Sequence, residues 1–269
     1  MHTQLIGTLA IALYLISSLL LVVRLVRQDT FPGWARGGIL LLALAATALH
    51  GAALYPLLLT ATGLDLGFFK AASLIGWITA LLLLLSSLKR PLENLGILLL
   101  PMAALTIVLM FAFPSRHELG EQSGWQLDLH ILLSVLAYSL LVIAALQALA
   151  LAFQDRQLRN RHPGGLIRLL PPLQVMEALL IQLIVSGFVL LSAALLTGFF
   201  FLEDIFAQHL VHKTLLSMVA WGVFAVLLWG RWRFGWRGRT VTHWTLGGFL
   251  FLMLAYFGTK LVLELLLGR

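Results

Sequence analysis

Eight histidines stand in a chain with few other groups able to do chemistry, and five of them (His50, His117, His130, His209 and His212) sit at or outward of the membrane centre on the topology read below. A neutral imidazole is stable among hydrocarbon side chains and keeps one ring nitrogen lone pair. That makes it the commonest protein ligand of haem iron. The competing use is a hydrogen bond between neighbouring helices, to a Ser, Thr or Tyr. Both readings stand for His50, His130 and His212. His130 and His50 are the candidate iron ligands, and His212, one turn after His209, is a further cofactor-binding candidate. A haem also needs a wide apolar slot with aromatic walls, which a Leu-, Phe- and Trp-rich bundle can supply. The chain has no cysteine, which removes thiol redox chemistry, Cys-metal sites and covalent haem attachment through CxxCH. No nucleophile elbow, P-loop or HExxH occurs. The expected chemistry is therefore binding, and the chain is not expected to be an enzyme.

The elements that must position these rings are eight apolar runs, at roughly 3–23, 36–59, 66–88, 94–113, 127–153, 177–201, 213–229 and 242–266. A bilayer core about 30 Å thick takes about 20 residues of helix. In hydrocarbon the backbone must satisfy its own hydrogen bonds, so each run is expected to be helical. Of the 269 residues, 61% are hydrophobic and 11% charged, against about 25% charged in soluble domains. The expectation is an all-α polytopic membrane bundle of about eight transmembrane helices, a single domain over 1–269. Proline falls inside two spans, at Pro56 and Pro101. Gly51, Gly76, Gly187, Gly198, Gly222, Gly247 and Gly248 invite close helix packing.

Charge orients the bundle. Of the 18 Lys and Arg, 13 lie in alternate gaps: Arg24, Arg27 and Arg36; Lys89 and Arg90; Arg156, Arg159, Arg161 and Arg168; Arg231, Arg233, Arg237 and Arg239. Positive residues are retained on the cytoplasmic side, so both termini are expected outside. The first run lacks a basic stretch before it and reads as a retained span rather than a secretion signal. On this topology His50 lies slightly outward of the membrane centre, and His130 and His212 lie close to the outer surface. The net charge of +7 follows from retention signals and implies the bilayer as partner, not nucleic acid.

The remaining polar groups read more plainly. Lys260 and Glu264 are spaced i, i+4 and can pair and snorkel. Glu177 begins the sixth span, where a helix N-terminus favours an acid. Residues 166–173 are apolar with one Arg and suit the inner membrane surface. The Arg–Trp cluster from Trp229 to Arg239 reads as an interfacial anchor, with a cytoplasmic partner surface as the other use.

Several of these residues form a set. His130-Ile-Leu-Leu-Ser134-Val-Leu-Ala-Tyr138-Ser resembles the segment of the CcsA/ResC cytochrome c assembly family that opens on an external haem-ligand histidine and runs to a Ser-Tyr pair. Thr197-Gly198 is similar to that family's Ser-Gly. Lys213 and Trp221 keep its Lys–Trp spacing, and Ala255-Tyr256-Phe257-Gly258 resembles its Cys-Tyr-Phe-Gly. The resemblance covers most of 125–269, more loosely the rest, and is nearest to the eight-span YpjD/HemX-like branch. It departs in three places. The tryptophan-rich periplasmic haem-binding segment is replaced by 199–211, which has no tryptophan. Trp229 stands where the family carries a membrane histidine, and Leu267 stands near the place of its second external histidine.

The resemblance implies a haem-handling protein of the bacterial inner membrane that assists cytochrome c assembly or haem trafficking. Haem is the implied cofactor, and haem and other cytochrome c maturation components are the implied partners. His130 would be the axial ligand outside, with His50 as a second or alternative one. Two other classes stay open: a membrane scaffold or regulator that kept the bundle without haem chemistry, and, ranked last for want of inverted repeats and midplane carboxylates, a small-solute transporter.

Overall fold

The computed structural model describes residues 2–27, 35–60, 63–89, 92–113, 124–160, 171–201 and 211–258. Its elements are α1 (His2–Val26), α2 (Ala35–Leu58), α3 (Phe68–Ser87), α4 (Gly96–Ala112), α5 (Trp125–Arg159), α6 (Leu173–Phe201), α7 (Val211–Phe234) and α8 (Arg239–Met253). A single 3-10 turn, Glu93–Leu95, precedes α4, and a π-helical turn, Leu254–Gly258, continues α8. Among the described residues the only strands are Leu59–Thr60 and Gly63–Leu64, a two-residue antiparallel hairpin after α2. Among the described residues eight helices, α4 and α8 taken with their 3-10 and π-helical turns, are long and apolar enough to cross a membrane, and the protein is a polytopic helical membrane protein. At 1.5 Å per residue α5 is roughly 52 Å long, so it outruns the hydrocarbon core and carries Arg156 and Arg159 beyond it. Lys260, Glu264 and Leu267, like His117, His162, His209 and the segment 166–170, lie outside the described residues, as does most of 199–211.

The helices gather into two compact units, α1–α4 and α5–α8. In the first, α1 packs on α2 and α4, and α3 packs on the same two. Tyr14, Leu54, Leu83, Leu100 and Ile107 fill its centre. Buried Glu93 closes one end: it accepts from Arg24 at 3.4 Å and Arg36 at 3.0 Å, while Arg36 also donates to the Ser87 carbonyl at 2.5 Å. Asp65 pairs with Lys70 at the other end. In the second unit α5 packs on α6 and α8, and α7 on the same two, around Leu141, Leu151, Leu180, Ile184 and Phe224.

Small residues set the closest approaches. A Cβ at Gly51 would meet the Trp77 indole at 2.9 Å, one at Gly76 the Thr106 hydroxyl at 2.8 Å, one at Gly187 the Leu141 side chain at 2.8 Å and one at Gly248 the Phe224 ring at 2.9 Å. Gly222 and Gly247 have no neighbour within 4 Å of an added Cβ among the described residues, so the expected close packing holds at some of these positions and is not seen at those two.

Candidate functional site

His130 sits in the second turn of α5, half-buried, opposite the last two turns of α6. The buried face of α6 there is Gly187, Leu191, Ala194 and Gly198, a helical repeat whose small members let α5 come close. The imidazole enters that gap. Its Nδ1 lies 2.9 Å from the Ala194 carbonyl and 3.3 Å from the Thr197 hydroxyl, and that hydroxyl itself donates to the same carbonyl at 2.9 Å. A carbonyl only accepts, so Nδ1 carries the proton. Nε2 of the neutral ring is then the lone-pair nitrogen, with no hydrogen bond among the described residues. Gly198 makes the seat: a Cβ there would stand 3.0 Å from Cε1 and 3.3 Å from Nδ1 of the ring.

This is the arrangement that metal-binding histidines adopt, with the non-ligating ring N–H given to a backbone carbonyl that fixes tautomer and orientation. The same end carries exposed aromatics, Trp125 packed on Phe201 with ring centres 5.7 Å apart, and Phe199 and Phe200 beside them. A flat apolar ring would find both an iron ligand and apolar surface here. Among the described residues no three His, Asp or Glu side chains gather to hold a metal ion by themselves. A porphyrin brings its own equatorial nitrogens and asks the protein for axial ligands only, so one oriented imidazole fits haem better than a bare metal.

Two turns further along α5, Tyr138 packs against Phe249, Tyr256 and Phe257, with ring centres 5.7–6.0 Å apart. Tyr256 and Phe257 lie on the π-helical turn. Trp221 donates its indole N–H to Ser192 at 2.8 Å and stacks on Phe188. Thus the second unit joins residues that the sequence keeps far apart: His130 with Thr197-Gly198, and Tyr138 with Tyr256-Phe257. Ala194, Phe188 and Ser192 were not singled out from sequence. Ala194 acts through its carbonyl, which every residue has, so no side-chain signal marks it.

His50 belongs to the first unit and is fully buried. Nε2 is 2.8 Å from the Ser73 hydroxyl and Nδ1 is 3.3 Å from the Tyr14 hydroxyl. Tyr14 gives its one proton to Thr47 at 3.2 Å, and Thr47 gives its own to the Ala43 carbonyl at 2.9 Å. The chain of donors therefore runs Ser73, His50, Tyr14, Thr47, Ala43, and it ends on a backbone carbonyl. Trp77 donates to the Thr47 carbonyl at 2.8 Å alongside it. Both ring nitrogens of His50 are engaged, which is the helix–helix use; iron could reach the ring only after Ser73 or Tyr14 had yielded it. His212 opens α7, and its side chain lies outside the described residues.

At the far end of α6, Glu177 accepts from Arg231 at 2.6 Å and from the Gly238 amide at 3.3 Å, and Arg231 also donates to the Trp236 carbonyl at 2.7 Å. The Arg–Trp cluster is thereby folded back on α6 and is more than a row of lipid anchors.

The family described as Cytochrome C assembly protein matches residues 38–267. Inner membrane protein YpjD of Escherichia coli K12 is 33% identical over 264 residues, covering 96% of this chain and 97% of its own. An uncharacterized 28.8 kDa protein of Azospirillum brasilense is 36% identical over 203 residues, 71% of this chain and 74% of its own. No solved structure matches. The oriented histidine, its glycine seat and the aromatic turn fall within a match that spans most of the sequence, and the chain belongs to the cytochrome c assembly protein family.

Proposed function

We propose that this chain is a haem-handling protein of the bacterial inner membrane, assisting cytochrome c assembly or haem trafficking, and that it binds haem through Nε2 of His130. The observation that carries the reading is the Nδ1–H to Ala194 hydrogen bond with Gly198 beneath the ring. It presents one lone pair in one direction before any ligand arrives. With the arginine-rich gaps on the cytoplasmic side, His130 opens toward the cell exterior, where cytochromes c are assembled. The membrane setting of the Escherichia coli relative supports the location.

Haem would supply an iron with an axial position for imidazole. The protein's own share is positional. Thr197 and Ala194 hold the ring against rotation, Gly198 leaves the space for it, and Trp125, Phe199 and Phe200 offer apolar surface that excludes water. The proposed role is binding rather than bond chemistry, and it rests on the oriented lone pair of His130.

The test is a hemin titration of the purified protein in detergent, followed at the Soret band. Wild type is expected to bind in a one-to-one complex, and His130→Ala to weaken binding by at least tenfold while its circular dichroism stays unchanged. A His130→Ala protein that binds hemin like wild type refutes the assignment. A wild type that folds and does not bind supports the scaffold reading instead.

A further inference from the structure

A cavity of about 370 Å³ lies within the second unit, between the last turns of α5 and the first turns of α6 and α8. That volume is within the range of small-ligand sites, about 300–1,000 Å³. Its ionisable lining is Arg156, Arg159, Arg239 and His243 with Asp155 and Glu177. Both carboxylates already have partners. Asp155 holds Arg159 at 3.1 Å, and Glu177 holds Arg231 and the Gly238 amide. Arg156 and Arg239 have no acidic partner among the described residues. Two exposed guanidinium groups from different helices, neither ion-paired among the described residues, thus line one concave site, while Leu151 and Leu173 form an apolar side to it.

Guanidinium groups bind phosphate by paired, charge-assisted hydrogen bonds. We propose that this cavity is a binding site for a phosphate-bearing anion, held between Arg156 and Arg239. The mixed lining and the position at the ends of membrane helices match a phosphodiester lipid headgroup with the start of its glycerol. A soluble phosphate would use the same two arginines without the apolar side. The Gly238 amide is already taken by Glu177, so the guanidinium pair and not the start of α8 supplies the recognition. The site is separate from His130 and does not depend on the haem reading.

The experiment uses the full-length, delipidated protein in detergent. Its thermal unfolding is followed while phosphatidylglycerol, phosphatidylcholine or inorganic phosphate is added, because a ligand that binds only the folded state raises its stability. Phosphatidylglycerol is expected to raise the melting temperature and phosphatidylcholine to leave it unchanged. Arg156→Gln and Arg239→Gln should each raise the half-saturating concentration by about tenfold. Arg233→Gln, an exposed arginine outside the cavity, should behave as wild type. Protection by inorganic phosphate at similar concentrations assigns a soluble source with the same chemistry. In the wild type alone, added salt should weaken the effect. Protection by phosphatidylcholine equal to that by phosphatidylglycerol, no protection by any of the three, a flat salt response, or an Arg156→Gln/Arg239→Gln protein that binds as wild type would each overturn the proposal.

Discussion

Replacing His50 by alanine separates its two possible uses. The substitution removes the ring that accepts from Ser73 and donates to Tyr14, both inside a fully buried junction of α1, α2 and α3. Hydrogen bonds between membrane helices contribute about 0.6 kcal/mol on average and up to about 1.7 kcal/mol, so two of them account for roughly 1–3 kcal/mol. The void left by the imidazole adds about 1 kcal/mol at roughly 24 cal/mol per Å³. The expected loss is therefore about 2–4 kcal/mol. It is read by unfolding in an SDS titration, followed by circular dichroism and by the fluorescence of Trp77, which donates into the same junction. Ser73→Ala should cost about 1 kcal/mol alone and much less in the His50→Ala background, because its partner is already gone. Hemin affinity should be unchanged. His50→Ala with wild-type stability, or strict additivity with Ser73→Ala, refutes the clamp. Loss of hemin binding with stability intact would restore His50 as a ligand.

The other expectations concern backbone and seat. Gly198→Ala puts a Cβ 3.0 Å from His130 Cε1. The ring must give by a few tenths of an ångström and loosen its hold on Ala194, so hemin affinity should fall by about tenfold in the same Soret titration. An unchanged affinity would mean that ring orientation is irrelevant to binding. Gly238 has φ +54° and ψ −121° with nothing within 4 Å of an added Cβ. Gly238→Ala should still destabilise by about 1–3 kcal/mol through backbone strain alone. Gly222→Ala, helical and equally open, should be neutral or stabilising by up to about 1 kcal/mol from helix propensity. Equal unfolding midpoints for the two alanine variants would contradict this account.

Much of the architecture is legible without coordinates because the solvent dictates it. A run such as 36–59 has one way to satisfy its backbone in hydrocarbon, and α2 forms there. Helix ends are less legible. α5 continues to Arg159, past the expected end near 153, since the polar turns Gln154–Arg159 propagate a helix already nucleated in the membrane. The division into two units leaves no mark in hydropathy, because both units mix more and less apolar spans. At the site, His130 is legible as a residue type and Thr197-Gly198 through the resemblance, but the sequence does not show them as partners. The sequence leaves the polar use of His50 open beside ligation, and it does not reveal Ser73 and Tyr14 as its partners.

What sequence alone determines here is environment and inventory: eight membrane helices, no cysteine chemistry, a few imidazoles and an excess of arginine. These depend on composition along one dimension. Which nitrogen of His130 is left without a partner among the described residues, which arginines there lack a carboxylate and which glycines touch a ring are decided by tertiary structure. Each depends on how a helix is rotated about its axis, and that rotation is set by packing between residues as far apart as His130 and Thr197, 67 positions along the chain.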